Sequence, residues 1–143
     1  ALINSLWGFG MCQHRARDLL AELDGLAAGQ GGLELEGLSP ANMVKAGVGL
    51  ALLGAEATSS ALATAMCLAA ASHASSLVPS NLARVLWSTV VLGAHLVGPG
   101  KEEVQEGIRG LWAEACRRNF SGVAQEDLSM LHEAHVLLLA EAP

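Results

Sequence analysis

The chain has 143 residues, of which 52% are hydrophobic and only 15% charged. That is one domain's length with ample core material, which excludes an intrinsically disordered chain. The net charge of −6 runs against the basic excess that drives most nucleic-acid binding through counterion release.

Ala and Leu dominate, Tyr is absent and β-branched residues are few, a mix that favours helices over strands. The first predicted helix runs from Leu2 to Cys12. The second covers 14–28, with Ala16, Leu19, Leu20, Leu23 and Ala27 on one face. Gly29-Gln30-Gly31-Gly32 breaks the pattern. A third helix begins at Ser39-Pro40, where Ser39 suits the N-cap and Pro40 the first helical position. It runs to about Leu53, and Gly54 supplies the stop. A fourth covers about 58–75, with Leu62, Met66, Ala69 and His73 on one stripe.

Pro79 opens the fifth helix, Leu82, Val85, Leu86 and Thr89 form its inward stripe, and Gly93 closes it. Gly98-Pro99-Gly100 is a hard break. The sixth helix covers 101–119, with Val104, Ile108, Leu111, Trp112 and Ala115 at 3.6-residue spacing. Glu102, Glu103 and Glu106 crowd its first turns and Arg117 and Arg118 its last, an order that complements the helix dipole. A seventh helix covers about 124–140.

These elements form a repeat. Pro40 and Pro79, Asn42 and Asn81, and Gly54 and Gly93 each stand 39 residues apart. A fixed period in this range marks a helical repeat array. The expected fold is all-α: an α-solenoid of stacked helix pairs, about three and a half helix-turn-helix units over 1–37, 38–76, 77–119 and a partial 120–143. Trp7, Val48 and Trp87 are aligned positions, and with Trp112 they are expected to pack between repeats.

The other motifs are weak. Cys12, Cys67 and Cys116 form no CxxC pair and sit in apolar helical contexts, where a free Cys behaves as a small hydrophobe. His132 and His135 are i and i+3 with no third ligand evident, so no metal is expected. Gly98-Pro99-Gly100-Lys101 lacks the leading Gly and the Ser/Thr of a phosphate loop. No G-x-S-x-G elbow occurs. The reading is therefore a non-enzyme with no cofactor and no small-molecule substrate. Membrane insertion is not expected, because residues 57–74 are too Ala-rich and hydroxylated for a span. The chain opens inside an apolar segment without an initiator Met, and it reads as a piece of something longer.

Asn4, Lys45 and Arg84 each lie three residues before Trp7, Val48 or Trp87. Equivalent positions of a solenoid stack into a row, so these three form a candidate RNA-binding row.

Two segments carry a family resemblance. Leu2-Ile3-Asn4-Ser5-Leu6-Trp7-Gly8-Phe9-Gly10 and Leu82-Ala83-Arg84-Val85-Leu86-Trp87-Ser88-Thr89-Val90-Val91-Leu92-Gly93 resemble the L-A-N-x-L-W-A-x-A-x-L-G helix of octotricopeptide-repeat proteins. The same pattern marks FAST-kinase-like and RAP-domain proteins. Residues 120–139, with Leu128-Ser129-Met130-Leu131-His132-Glu133-Ala134-His135, are similar to the helix that often precedes a RAP domain. The resemblance implies a mitochondrion or plastid, RNA or a ribonucleoprotein as partner, and a role in transcript maturation, translation or the ribosome. It implies no kinase activity. The chain departs from the pattern in two ways: Val48 replaces the Trp of the second unit, and the charge is acidic. The competing expectation is an acidic scaffold: a subunit of a larger organellar assembly, such as a ribosome or a photosynthetic or respiratory membrane complex, with no direct RNA contact.

Overall fold

A computed structural model describes residues 39–53, 60–96 and 98–141. The helices expected over 2–12 and 14–28, and with them Asn4 and Trp7, lie outside the described residues, as does Gly54. The described residues are all-helical, with no strand among them. Helix α1 covers Pro40–Leu53, α2 Ser60–Ser72, α3 Pro79–Ala94, α4 Lys101–Arg117 and α5 Gln125–Glu141, with a single 3-10 turn at Ala74–Ser76 after α2.

Local chemistry sets the starts. Ser39 Oγ accepts the Asn42 N–H at 3.3 Å, satisfying one of the donors that a helix leaves orphaned at its first turn. Pro79 takes the first turn of α3 after an extended Val78, where its missing N–H costs nothing. Gly100, just before α4, has φ +92°, a left-handed conformation that L side chains rarely adopt.

Gly93 does not close its helix. It lies inside α3, which continues to Ala94, and a Cβ there would stand 3.2 Å from Ile108 Cδ1 and 3.3 Å from Val104 Cγ1. The residue serves the close approach of α4, not a helix end. The fourth helix, expected over 58–75, stops early at its C-terminal end. It ends as α-helix at Ser72 and tightens into the 3-10 turn, in which Ser76 Oγ donates to the His73 carbonyl at 2.9 Å.

The packing order follows the chain. Helix α1 packs on α2 and α3 on α4; α3 also packs on α1, α2 and α5, and α4 on α2. One core runs through all five elements, from Met43 and Leu50 through Leu62 and Met66 to Leu82, Leu86, Leu111 and Ala134. The helices approach closely where small residues meet. A Cβ on Gly47 of α1 would lie 2.9 Å from Ser88 Oγ of α3, and one on Gly107 of α4 would lie 3.1 Å from Ala71 Cβ of α2. No described helix is long and apolar enough to cross a membrane.

Candidate functional site

Helices α1 and α3 pack on each other and carry the two described members of the candidate row, Lys45 and Arg84. Each follows its helix's proline by five residues, so the two share a register. Both side chains are half-buried at the edge of the core. Asn4, the third member, lies outside the described residues.

Arg84 is not a free cation. Its Nε donates to Asp127 Oδ1 at 2.7 Å and its Nη2 to Oδ2 at 3.5 Å. Arg84 keeps 39% of its side-chain exposure and Asp127 only 5%. The pair joins α3 to the first turn of α5 across 43 residues. Asp127 also sits where an acidic group is favoured by the helix dipole. Its burial makes the guanidinium necessary, because a buried carboxylate without a partner is costly. The ion pair therefore holds the fold together and cancels half of the row's described charge.

A second arginine ties α4 to the turn after α2. Arg118 Nη2 donates to the Ser75 carbonyl at 2.8 Å, again across 43 residues, while its Nε donates to Glu114 Oε1 at 2.7 Å. Arg117 Nη2 donates to Glu114 Oε2 at 2.6 Å. The hydrogen bonds from Arg117 and then Arg118 hold the Glu114 carboxyl below its ordinary range. Nothing in the sequence signals either long-range tie, since each joins residues that only the packing brings together.

Of the expected packing residues, Trp7 lies outside the described ones and the other three lie in or against the core. Val48 and Trp87 are buried in the core, and Trp112 is half-buried against it. The Trp87 ring offers no face for base stacking, and its indole N–H lacks a hydrogen-bond partner among the described residues. Trp112 stacks on His135 of α5, with ring centroids 5.3 Å apart and 22° between planes. That stack was not legible in the sequence, where His135 stood out only as half of an i, i+3 pair. His132 is exposed, and among the described residues no group of three or more His, Cys, Asp or Glu is placed to hold a metal.

The two buried hydroxyls of α3 have local partners. Ser88 Oγ donates to the Val85 carbonyl at 3.0 Å, and Thr89 Oγ1 lies 2.9 Å from that oxygen and 3.0 Å from the Leu86 carbonyl. Cys67 sits 3.8 Å from the Thr89 carbonyl, and burial pushes its thiol up to about 12. A thiol so placed is a packing group and not a nucleophile.

The described residues are thus all-helical, with most of their charge gathered on α4 and α5. No protein-family model, no curated protein and no solved structure matches the chain.

Proposed function

We propose that this chain is a non-enzymatic helical-repeat interaction protein: an α-solenoid of stacked helix pairs that binds single-stranded RNA in a mitochondrion or plastid. The supporting observation is the packing order. The first helix of each pair lies against the first helix of the next, α1 against α3 and α3 against α5, and α4 lies against α2. A repeat that stacks this way presents equivalent positions along one surface. Lys45 and Arg84 hold such positions, and the resemblance to octotricopeptide-repeat and RAP-domain proteins supplies RNA as the ligand. Lys45 is the phosphate contact, and the exposed part of the Arg84 guanidinium contacts the strand while Asp127 holds it in place.

The test is the salt dependence of single-stranded RNA binding, followed by fluorescence anisotropy. Affinity falls as salt rises, with a slope set by the number of phosphate contacts, and Lys45→Glu weakens binding and flattens that slope by about one contact. No binding at low salt, or a flat profile, overturns the reading. Arg84 must stay unchanged in this test, because Arg84→Glu would place a second carboxylate against buried Asp127 and disturb the fold.

One observation favours a second reading, an acidic scaffold within a larger organellar assembly. The Arg84–Asp127 pair leaves Lys45 as the one unpaired cation among the row's described members. A row so poor in free positive charge suits apolar docking to protein subunits, whose affinity barely responds to salt.

A further inference from the structure

The segment between α4 and α5 places an unusual serine in the open. Helix α4 ends at Arg117, and Arg118 is extended, with φ −97° and ψ 154°. Asn119, Ser121 and Gly122 are exposed. Gly122 has φ +80°, which turns the chain toward α5. Two bonds shape the turn: the Ser121 N–H donates to Asn119 Oδ1 at 2.9 Å and the Val123 N–H to the Phe120 carbonyl at 3.2 Å. The first is an exposed contact of a loop, and a loop opens at low cost compared with a helix or the core.

Two arginines precede the serine in Arg117-Arg118-Asn119-Phe120-Ser121. Arginine three residues before a hydroxyl acceptor is what an Arg-directed protein kinase reads, by pairing its own carboxylates with the guanidinium while the acceptor segment lies extended. No other described serine combines these features. Ser72, Ser75 and Ser76 are exposed with no arginine in the preceding ten residues; Ser129 is helical, with Oγ bonded to the Gln125 carbonyl; and Ser88 is buried.

We propose that Ser121 is a phosphoacceptor for an Arg-directed serine kinase, and that its phosphate competes for Arg118. In the reaction Ser121 Oγ attacks the γ-phosphorus of Mg-ATP. The Oγ–P bond forms, the bond between that phosphorus and the β,γ-bridging oxygen breaks, and ADP leaves. The hydroxyl proton passes to the kinase's catalytic carboxylate and then to water. The product carries about −1.5 to −2 charges and strong acceptor oxygens, three residues from Arg118. Arg118 then has a better partner than the neutral Ser75 carbonyl, and the tie between α4 and the turn after α2 loosens. This inference is independent of whether the ligand of the array is RNA or protein.

The test uses the full chain with Mg-ATP and a kinase that requires arginine three residues before its acceptor. Intact-mass and fragment analysis should show one phosphate, on Ser121. Ser121→Ala should abolish it and remain folded, since only the backbone of Ser121 is bonded. Arg118→Ala should slow incorporation by roughly tenfold or more, the effect of losing one charge-assisted hydrogen bond. Amide exchange at 74–77 should speed up in the phosphorylated chain. Phosphate on another residue, no phosphate at all, or incorporation indifferent to Arg118 overturns the acceptor assignment. Unchanged exchange at 74–77 overturns the competition for Arg118.

Discussion

Helices α3 and α4 are nearly the same length and stand next to each other, yet they solve opposite problems. Nine residues of α3 are buried, including Trp87, Ser88 and Thr89. It packs on the four other helices named above. Only Val104, Ile108, Leu111 and Ala115 of α4 are buried, and its other face is Glu, Gln, Arg and Gly. A helix apolar nearly all round belongs in the middle of a structure, and one with a single apolar stripe belongs at its edge. The lesson is that burial concentrates in the central helix, while charge collects on the outer one.

The contrast is broken most directly by truncation in the core. Leu86→Ala in α3, at a side chain with no exposure, should cost about 2–5 kcal/mol in urea unfolding. Gln105→Ala, on the exposed face of α4, should stay within about 0.5 kcal/mol. Equal losses at the two positions would remove the distinction.

The ion pair that fastens α5 to α3 gives the next largest effect, and it should be lopsided. Arg84→Ala strands a buried carboxylate and should cost roughly 2 kcal/mol, less than the ~3–5 kcal/mol of a fully buried pair because Arg84 is partly exposed. Asp127→Ala should cost less, since the freed guanidinium can reach water. Urea midpoints in the reverse order would place the burden on the wrong partner.

Two glycines show the same contrast between inner and outer faces. Gly47 faces Ser88 Oγ at 2.9 Å from a built Cβ, whereas Gly110 on α4 has nothing within 4 Å. Gly47→Val should destabilise by about 1–3 kcal/mol through overpacking. Gly110→Ala should stabilise by roughly 0.5–1 kcal/mol, because a helical Gly gives up more backbone entropy than Ala. Thermal midpoints that move the same way for both would contradict the assignment of inner and outer faces.

The smallest effects are chemical. Cys67 should resist a thiol reagent at pH 8 in the folded chain while exposed Cys116 reacts. With the folded thiol raised from 9.0 to about 12, the stabilising contribution is complete below pH 9 and is lost as pH climbs toward 12, because the unfolded chain releases that proton first. Rapid labelling of Cys67 at pH 8 would mean that the interface of α2 and α3 opens readily.

Much of this fold was legible in the sequence, for reasons that are local. Pro40 and Pro79 announce helix starts by their own backbone geometry, and the Val104–Ile108–Leu111–Ala115 stripe shows its buried face by spacing alone. The missed features depend on register between elements. Gly93 reads as a helix stop in isolation and becomes a contact for Val104 and Ile108 only when α4 is in place. Arg84 looks like a surface cation until Asp127 arrives from 43 residues away. Trp112 and His135 give no sign of stacking until α4 and α5 are juxtaposed. Sequence periodicity predicts which face turns inward, but not which distant polar group it meets there.

Helix α3 is the keystone on which the other described helices lean. Native-state amide exchange measures this directly, since each amide reports the free energy of the opening that exposes it. Amides of α3 from Leu82 to Val90 should exchange only through global unfolding, while those of α5 and the outer turns of α4 exchange through smaller openings. Protection in α5 equal to that of α3, or an α3 that exchanges before its neighbours, would contradict the account.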